Sequence, residues 1–171
     1  IPIFDKNLWS VPAPVRIAEL STTVIQVIES TNMDWLVSFS SHSISLHALR
    51  EAGYWPMDMI AEDAAGYWQR YVHFSGDYRV VPIPVAISMD APEGETFMET
   101  MRISYKQKRR WAFGAENVAV ALRGLLSTRG IAFGRKLVAA FKLMDNYVTW
   151  ATWAFILNII VWLPRIGANL A

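Results

Sequence analysis

At 171 residues the chain has room for one domain with a sizeable core, and its 53% hydrophobic content, eight Trp and mean hydropathy of +0.22 are those of a membrane-associated protein. The absence of Cys excludes disulfide frameworks, thiolate zinc sites and cysteine nucleophiles. The net charge of +1 hides two unlike halves: residues 1–100 carry 13 acids and 5 bases, residues 101–171 carry 2 acids and 11 bases.

Ile1 to Ser10 lacks the charged start and apolar core of a signal peptide, and a first residue that is not Met reads as a piece cut from a longer protein. Ile1 to Pro14 is Pro-rich and of mixed polarity, a loop or edge strand in which Phe4 and Trp9 are expected to pack. Pro14 suits the first turn of a helix running to about Ser30, and Ile17, Leu20, Val24, Val27 and Ile28 fall on one stripe expected to face the core.

Trp35 to Ser45 is Ser-rich and alternates well enough for a strand or strand edge lining a cleft. A short helix over Leu46 to Ala52 follows, closed by Gly53. His42 reads as an ordinary hydrogen-bonded histidine or a ligand contact, and His42, His47 and His73 show no metal-ligand spacing. No metal site is expected within this piece of chain.

Glu62 and Asp63 place two adjacent carboxylates at the start of a helix that runs to about Phe74 and ends near Gly76. Two roles compete for them. In one, Asp63 accepts a helix N–H bond while Glu62 favours the positive end of the dipole. In the other, Asp63 is a general base at the mouth of a cleft, taking a proton from an acceptor hydroxyl.

Tyr78 to Ile87 alternates β-formers with Pro82 and Pro84, an edge strand at best. Thr96 and Glu99 form a capping box that opens the next helix, with Phe97, Met101 and Tyr105 expected on its buried side. That helix carries Lys106-Gln107-Lys108-Arg109-Arg110-Trp111, in which Gln107, Arg110 and Trp111 are spaced i, i+3, i+4 and share one face. The guanidinium fork of Arg110 fits a diphosphate, the indole of Trp111 offers a flat apolar face to a sugar ring, and Gln107 can donate to and accept from hydroxyls. The competing reading is a cationic helix face that is merely solvated or lies against anionic lipid.

From Glu116 to Met144, Val118, Leu122, Leu125, Leu137, Phe141 and Met144 recur at helical spacing among Arg123, Arg129, Arg135, Lys136 and Lys142. Basic amphipathic helices of this kind lie in a membrane interface or dock on a partner helix. Tyr147 to Leu163 then holds no charge over 17 residues and has Trp near both ends, which reads as a short transmembrane helix with an aromatic belt in preference to a buried core helix. The Lys and Arg excess ahead of it puts the preceding domain in the cytoplasm, at the inner (plasma) membrane.

Glu62-Asp63, a Pro-rich stretch, Gln107-x-x-Arg110-Trp111, an interfacial segment and a membrane helix, in that order, resemble the C-terminal half of the membrane-bound family-2 glycosyltransferases, the group that includes cellulose and hyaluronan synthases. The likeness is greatest to bacterial members, whose pattern is matched by Gly53-Tyr54-Trp55, Glu62-Asp63 and Tyr105 to Trp111. It covers Trp35 to Leu163, with the two motifs about 45 residues apart. The family's acidic motif is usually Thr-Glu-Asp; Ala61 stands in place of the Thr.

The resemblance implies an α/β fold, mostly helical in this piece. Residues 1–115 would form the C-terminal part of a GT-A-type catalytic domain, 116–145 an amphipathic interfacial segment, 146–164 a transmembrane helix and 165–171 a truncated tail. It also implies a nucleotide-sugar donor, a saccharide or lipid-linked acceptor, a lipid bilayer, no nucleic acid, and a divalent metal (Mg or Mn). Asp63 resembles the catalytic base with Glu62 as its acidic partner; Gln107, Arg110 and Trp111 resemble the residues around the donor diphosphate and the acceptor. The family's Asp-x-Asp metal motif precedes its acidic motif, and none that can serve lies upstream of Glu62, so the donor half of the site is expected outside this chain, which alone should be inactive. A reading from another class is a non-enzymatic membrane-interface module whose residues 102–142 bind anionic lipid or a partner protein.

Overall fold

A computed structural model describes the backbone of residues 1–34, 36–38 and 41–168, with side chains up to residue 152 apart from 150 and 151. The chain divides into two compact units, Ile1–Ile131 and Ala132–Ala171.

The first unit opens with β1 (Pro2–Phe4), which pairs in parallel with β2 (Ile87–Met89) in the register Pro2 to Ile87 and Phe4 to Met89. Between them run α1 (Ala13–Ser30), α2 (Leu46–Glu51) and α3 (Glu62–His73); α4 (Phe97–Ala112), a 3-10 turn (Phe113–Ala115) and α5 (Glu116–Ser127) follow. The mostly helical character expected from the sequence is what the described residues show. The Ser-rich stretch is different: Leu36–Ser38 and residues 41–45 form no strand, while Trp35, Phe39 and Ser40 lie outside the described residues. Residues 78–86 are irregular too, because Pro82 and Pro84 withhold the N–H groups a ladder requires, and pairing starts only at Ile87.

The boundaries of the helices follow local rules. Past α2, Gly53 adopts φ +85°, its N–H donates to Arg50 O at 3.2 Å and the Tyr54 N–H donates to Leu49 O at 2.8 Å, the double bond of a Schellman turn. Past α3 the same arrangement recurs, with Ser75 (φ 53°) in the left-handed position and Gly76 N donating to Tyr71 O at 2.8 Å. At the head of α4, Thr96 Oγ1 accepts from Glu99 N at 3.2 Å, as the capping box requires, and Glu99 Oε2 accepts from Glu95 N at 3.0 Å.

Which faces are buried departs from expectation in three places. On α1 the buried residues are Val15 and Glu19, whereas Ile17, Leu20, Val24, Val27 and Ile28 are exposed. The polar face of α1 is the one with partners: Glu19 meets Lys108, and Thr23 Oγ1 accepts from Phe4 N at 3.2 Å. On α4 the buried residues are Thr100 and Ser104, not Phe97 and Tyr105, which are 58% and 67% exposed. Thr100 spends its hydroxyl on the backbone of Gly94, and Met101 packs on the cluster of Val11, Val15 and Ala91. Phe4 is buried as expected, but Trp9 is 79% exposed, its ring covered by the Arg16 guanidinium at 4.8 Å.

The second unit is built on α6, Phe133–Ala168. Leu137, Phe141 and Met144 are exposed on it. Among the described residues no helix is long and apolar enough to cross a membrane; the span expected over 146–164 falls mostly on residues whose side chains lie outside the described ones.

Candidate active site

The two motifs sit on α3 and α4, and the chain between them is short of regular structure, so tertiary contacts set their separation. α3 starts at Glu62 with Ala61 as its N-cap, and no side chain caps it. Glu62 and Asp63 both lie in its first turn, where negative charge favours the positive end of the helix dipole. The main-chain carbonyl of Asp63 accepts from Ser38 Oγ at 3.0 Å. Its Oδ1 stands 3.8 Å from His42 Nδ1, and the His42 ring faces Trp55 with centroids 6.3 Å apart.

Burial lifts the Asp63 carboxyl above its ordinary value; His42 pulls it back, Glu62 pushes it up again, and Arg70 draws it down. Arg70 is a fully buried cation two turns along the same helix. Its Nε donates to Tyr78 Oη at 2.9 Å, and the guanidinium lies 5.4 Å from the Tyr78 ring centroid. Both terminal nitrogens are buried with no hydrogen-bond partner among the described residues. They fold back over Gly66, where a Cβ would stand 2.9 Å from Nη2.

On α4, Gln107 and Trp111 continue the inward face begun by Thr100 and Ser104 and are half-buried, while Arg110 is exposed beside them. Gln107 Oε1 is buried without a hydrogen-bond partner among the described residues. Lys108 Nζ stands 2.8 Å from Glu19 Oε1 on α1 and 4.1 Å from the Trp111 ring centroid.

Two hydrogen bonds join the stretches. After Trp111 the 3-10 turn delivers Glu116 and Asn117 to the segment just ahead of the acidic pair: Asn117 Nδ2 donates to Ala61 O at 3.1 Å, and Ile60 N donates to Glu116 Oε1 at 3.3 Å. The start of α3 and the segment leaving the Gln107-x-x-Arg110-Trp111 helix are thus neighbours. Asp63 itself makes no hydrogen bond or ion pair with Gln107, Arg110 or Trp111 among the described residues. A hollow of about 440 Å³ opens between α3 and α5 beneath the loop that follows α2, lined by Gly53, Trp55, Asp58, Trp68, Gln69 and Asn117 among others; it takes in two residues of the Gly53-Tyr54-Trp55 pattern but neither the acidic pair nor Gln107, Arg110 and Trp111.

Over 155 residues the chain is 32% identical to a poly-β-1,6-N-acetyl-D-glucosamine synthase of Staphylococcus epidermidis, a match covering 88% of this chain and 34% of the synthase. The chain is similar to a polysaccharide synthase. A protein of the same name from Staphylococcus epidermidis strain RP62A matches with the same identity and coverage. The chain spans about a third of the length of these relatives. No family model and no solved structure matches it. This homology supports the family resemblance carried by the two motifs.

Among the described residues no three His, Asp or Glu side chains come together as ligands for a metal ion. Sequence reasoning passed over Glu19, Lys108, Arg70 and Asn117. The acid Glu19 in the middle of α1, and an Arg two turns after the acidic pair, were the available signals; Asn117 had none.

Proposed function

We propose that this chain is the acceptor-side part of a membrane-bound inverting glycosyltransferase of family 2, which moves a sugar from a nucleotide-sugar donor to a saccharide or glycolipid acceptor at the cytoplasmic face of the plasma membrane. Asp63 takes the proton of the acceptor hydroxyl. The freed oxygen forms a bond to the anomeric carbon as the bond to the nucleoside diphosphate breaks on the opposite face, and the diphosphate departs with the electron pair. Glu62 sits beside the base and helps keep its proton affinity high. Arg110 offsets charge gathering on the leaving diphosphate. Trp111 stacks the acceptor sugar, and Gln107 bonds its hydroxyls.

The observation that carries this reading is the pair of hydrogen bonds that Asn117 donates to Ala61 and Glu116 accepts from Ile60, which make neighbours of the start of α3 and the segment that follows Trp111. A carboxyl lifted by burial has the proton affinity wanted of a general base. The exposed Leu137, Phe141 and Met144 suit an interfacial placement of residues 116–145, ahead of a membrane span over 146–164.

In the full-length enzyme in native membranes, Asp63→Asn should lower transfer to an N-acetylglucosamine oligomer by about 10²–10⁴-fold while leaving donor affinity intact. Turnover near that of the unaltered enzyme would remove Asp63 as the base.

A further inference from the structure

We propose that Glu19 and Lys108 form a positioning pair that sets the Trp111 indole for the acceptor, an inference that rests on the role given to Trp111 above. Glu19 is completely buried in α1, and a carboxylate there requires a cation in contact. Lys108 supplies it at 2.8 Å, with its own side chain 21% exposed. The same ammonium lies 3.5 Å from Thr22 Oγ1 and 4.1 Å from the centroid of the Trp111 ring.

One nitrogen thus touches an acid and a hydroxyl on α1 and an aromatic face on α4. Lys108 and Trp111 are i and i+3 on α4, so the ammonium can cover one face of the indole only if its own position is held, and Glu19 holds it. The covered face is closed to a sugar ring, which leaves the other face as the platform. An indole without that cation is free to change rotamer, and the acceptor would meet a mobile surface. Glu19 and Lys108 touch no substrate in this scheme; they act through Trp111.

The test uses the full-length enzyme in membranes, with separate acceptor and donor KM values for an N-acetylglucosamine oligomer and the nucleotide sugar. Removing only Lys108 would strand a buried charge and can unfold the protein, so the informative variant is Glu19→Met with Lys108→Met, which replaces both charges by apolar side chains. That double variant should raise the acceptor KM about fivefold to tenfold, the order of a lost cation–π contact, with donor KM and thermal stability nearly unchanged. Lys108→Arg, which keeps the charge over the ring, should restore the acceptor KM. With Trp111→Ala already present, the double variant should add nothing.

An unchanged acceptor KM in the double variant, or the same rise whether or not Trp111 is present, would overturn the positioning role while leaving sugar transfer standing. If Trp111→Ala alone leaves the acceptor KM where it was, Trp111 is not the platform, and the pair has nothing to position.

Discussion

The side-chain amide of Asn117 donates to the carbonyl of Ala61 at 3.1 Å, and so fastens the helix that follows Trp111 to the residue immediately ahead of Glu62 and Asp63. Asn117 is 1% exposed, so its end of the bond is shielded from water. Asn117→Ala should destabilise the fold by about 0.5–1.5 kcal/mol, because it removes one of the two hydrogen bonds at the Ala61 carbonyl, which keeps only that from the Ala65 N–H. Urea denaturation measures this, and loss of transfer activity should accompany it if the junction aligns the two motifs.

The raised proton affinity of Asp63 has a consequence for stability opposite in sign to that of a salt-bridged acid. The folded protein favours the protonated form, so as pH rises from the ordinary value of 3.8 through the raised folded value the folded state loses stability relative to the unfolded chain. Asparagine has no proton to lose. Asp63→Asn should therefore melt with the unaltered protein in acid and above it at neutral pH, while being inactive. Melting curves of the two proteins across this range decide it; a lower melting temperature for the variant at neutral pH would mean that the carboxylate holds the fold together.

Activity should show the same group. With Asp63 as the proposed base, transfer would need it ionised, so kcat/KM should fall on the acid side at a pH above the ordinary carboxylate value. His42 and Arg70 resist that rise, whereas Glu62 adds to it. Arg70→Met keeps the volume beneath α3 and removes the cation. The acid limb of the pH–rate profile should then move to higher pH, and a limb that stays in place would show that Arg70 does not act on Asp63.

The spacing of α3 and α5 depends on a small residue. A Cβ at Gly124 would stand 3.2 Å from Val72 Cγ2. Gly124→Leu should wedge the helices apart at a cost of about 1–3 kcal/mol, read from denaturant titration. A variant as stable as the original would mean that the two helices slide without penalty.

How far the sequence could be read differs from residue to residue, for physical reasons. Helix ends were legible because their signals are local: Thr96 with Glu99, Gly53 and Pro14 act within a turn of their own positions. The buried faces of α1 and α4 were not, because a hydroxyl or carboxylate can be buried when a partner off its own helix satisfies it, as Lys108 does for Glu19 and Gly94 for Thr100. Periodicity of apolar residues carries no information about such partners. The acidic pair and Gln107-x-x-Arg110-Trp111 stood out by residue type and order. The bridge between them, Asn117 to Ala61, is a tertiary contact with no local mark.

The ridge of Ile17, Leu20, Val24, Val27 and Ile28 on the outside of α1 also bears on handling. Produced on its own in dilute aqueous buffer, this polypeptide should clump, since five branched aliphatic side chains along one helix make an adhesive strip for any like strip it meets. A mild detergent should disperse it, and charged replacements at Ile17 and Val24 should do so without one.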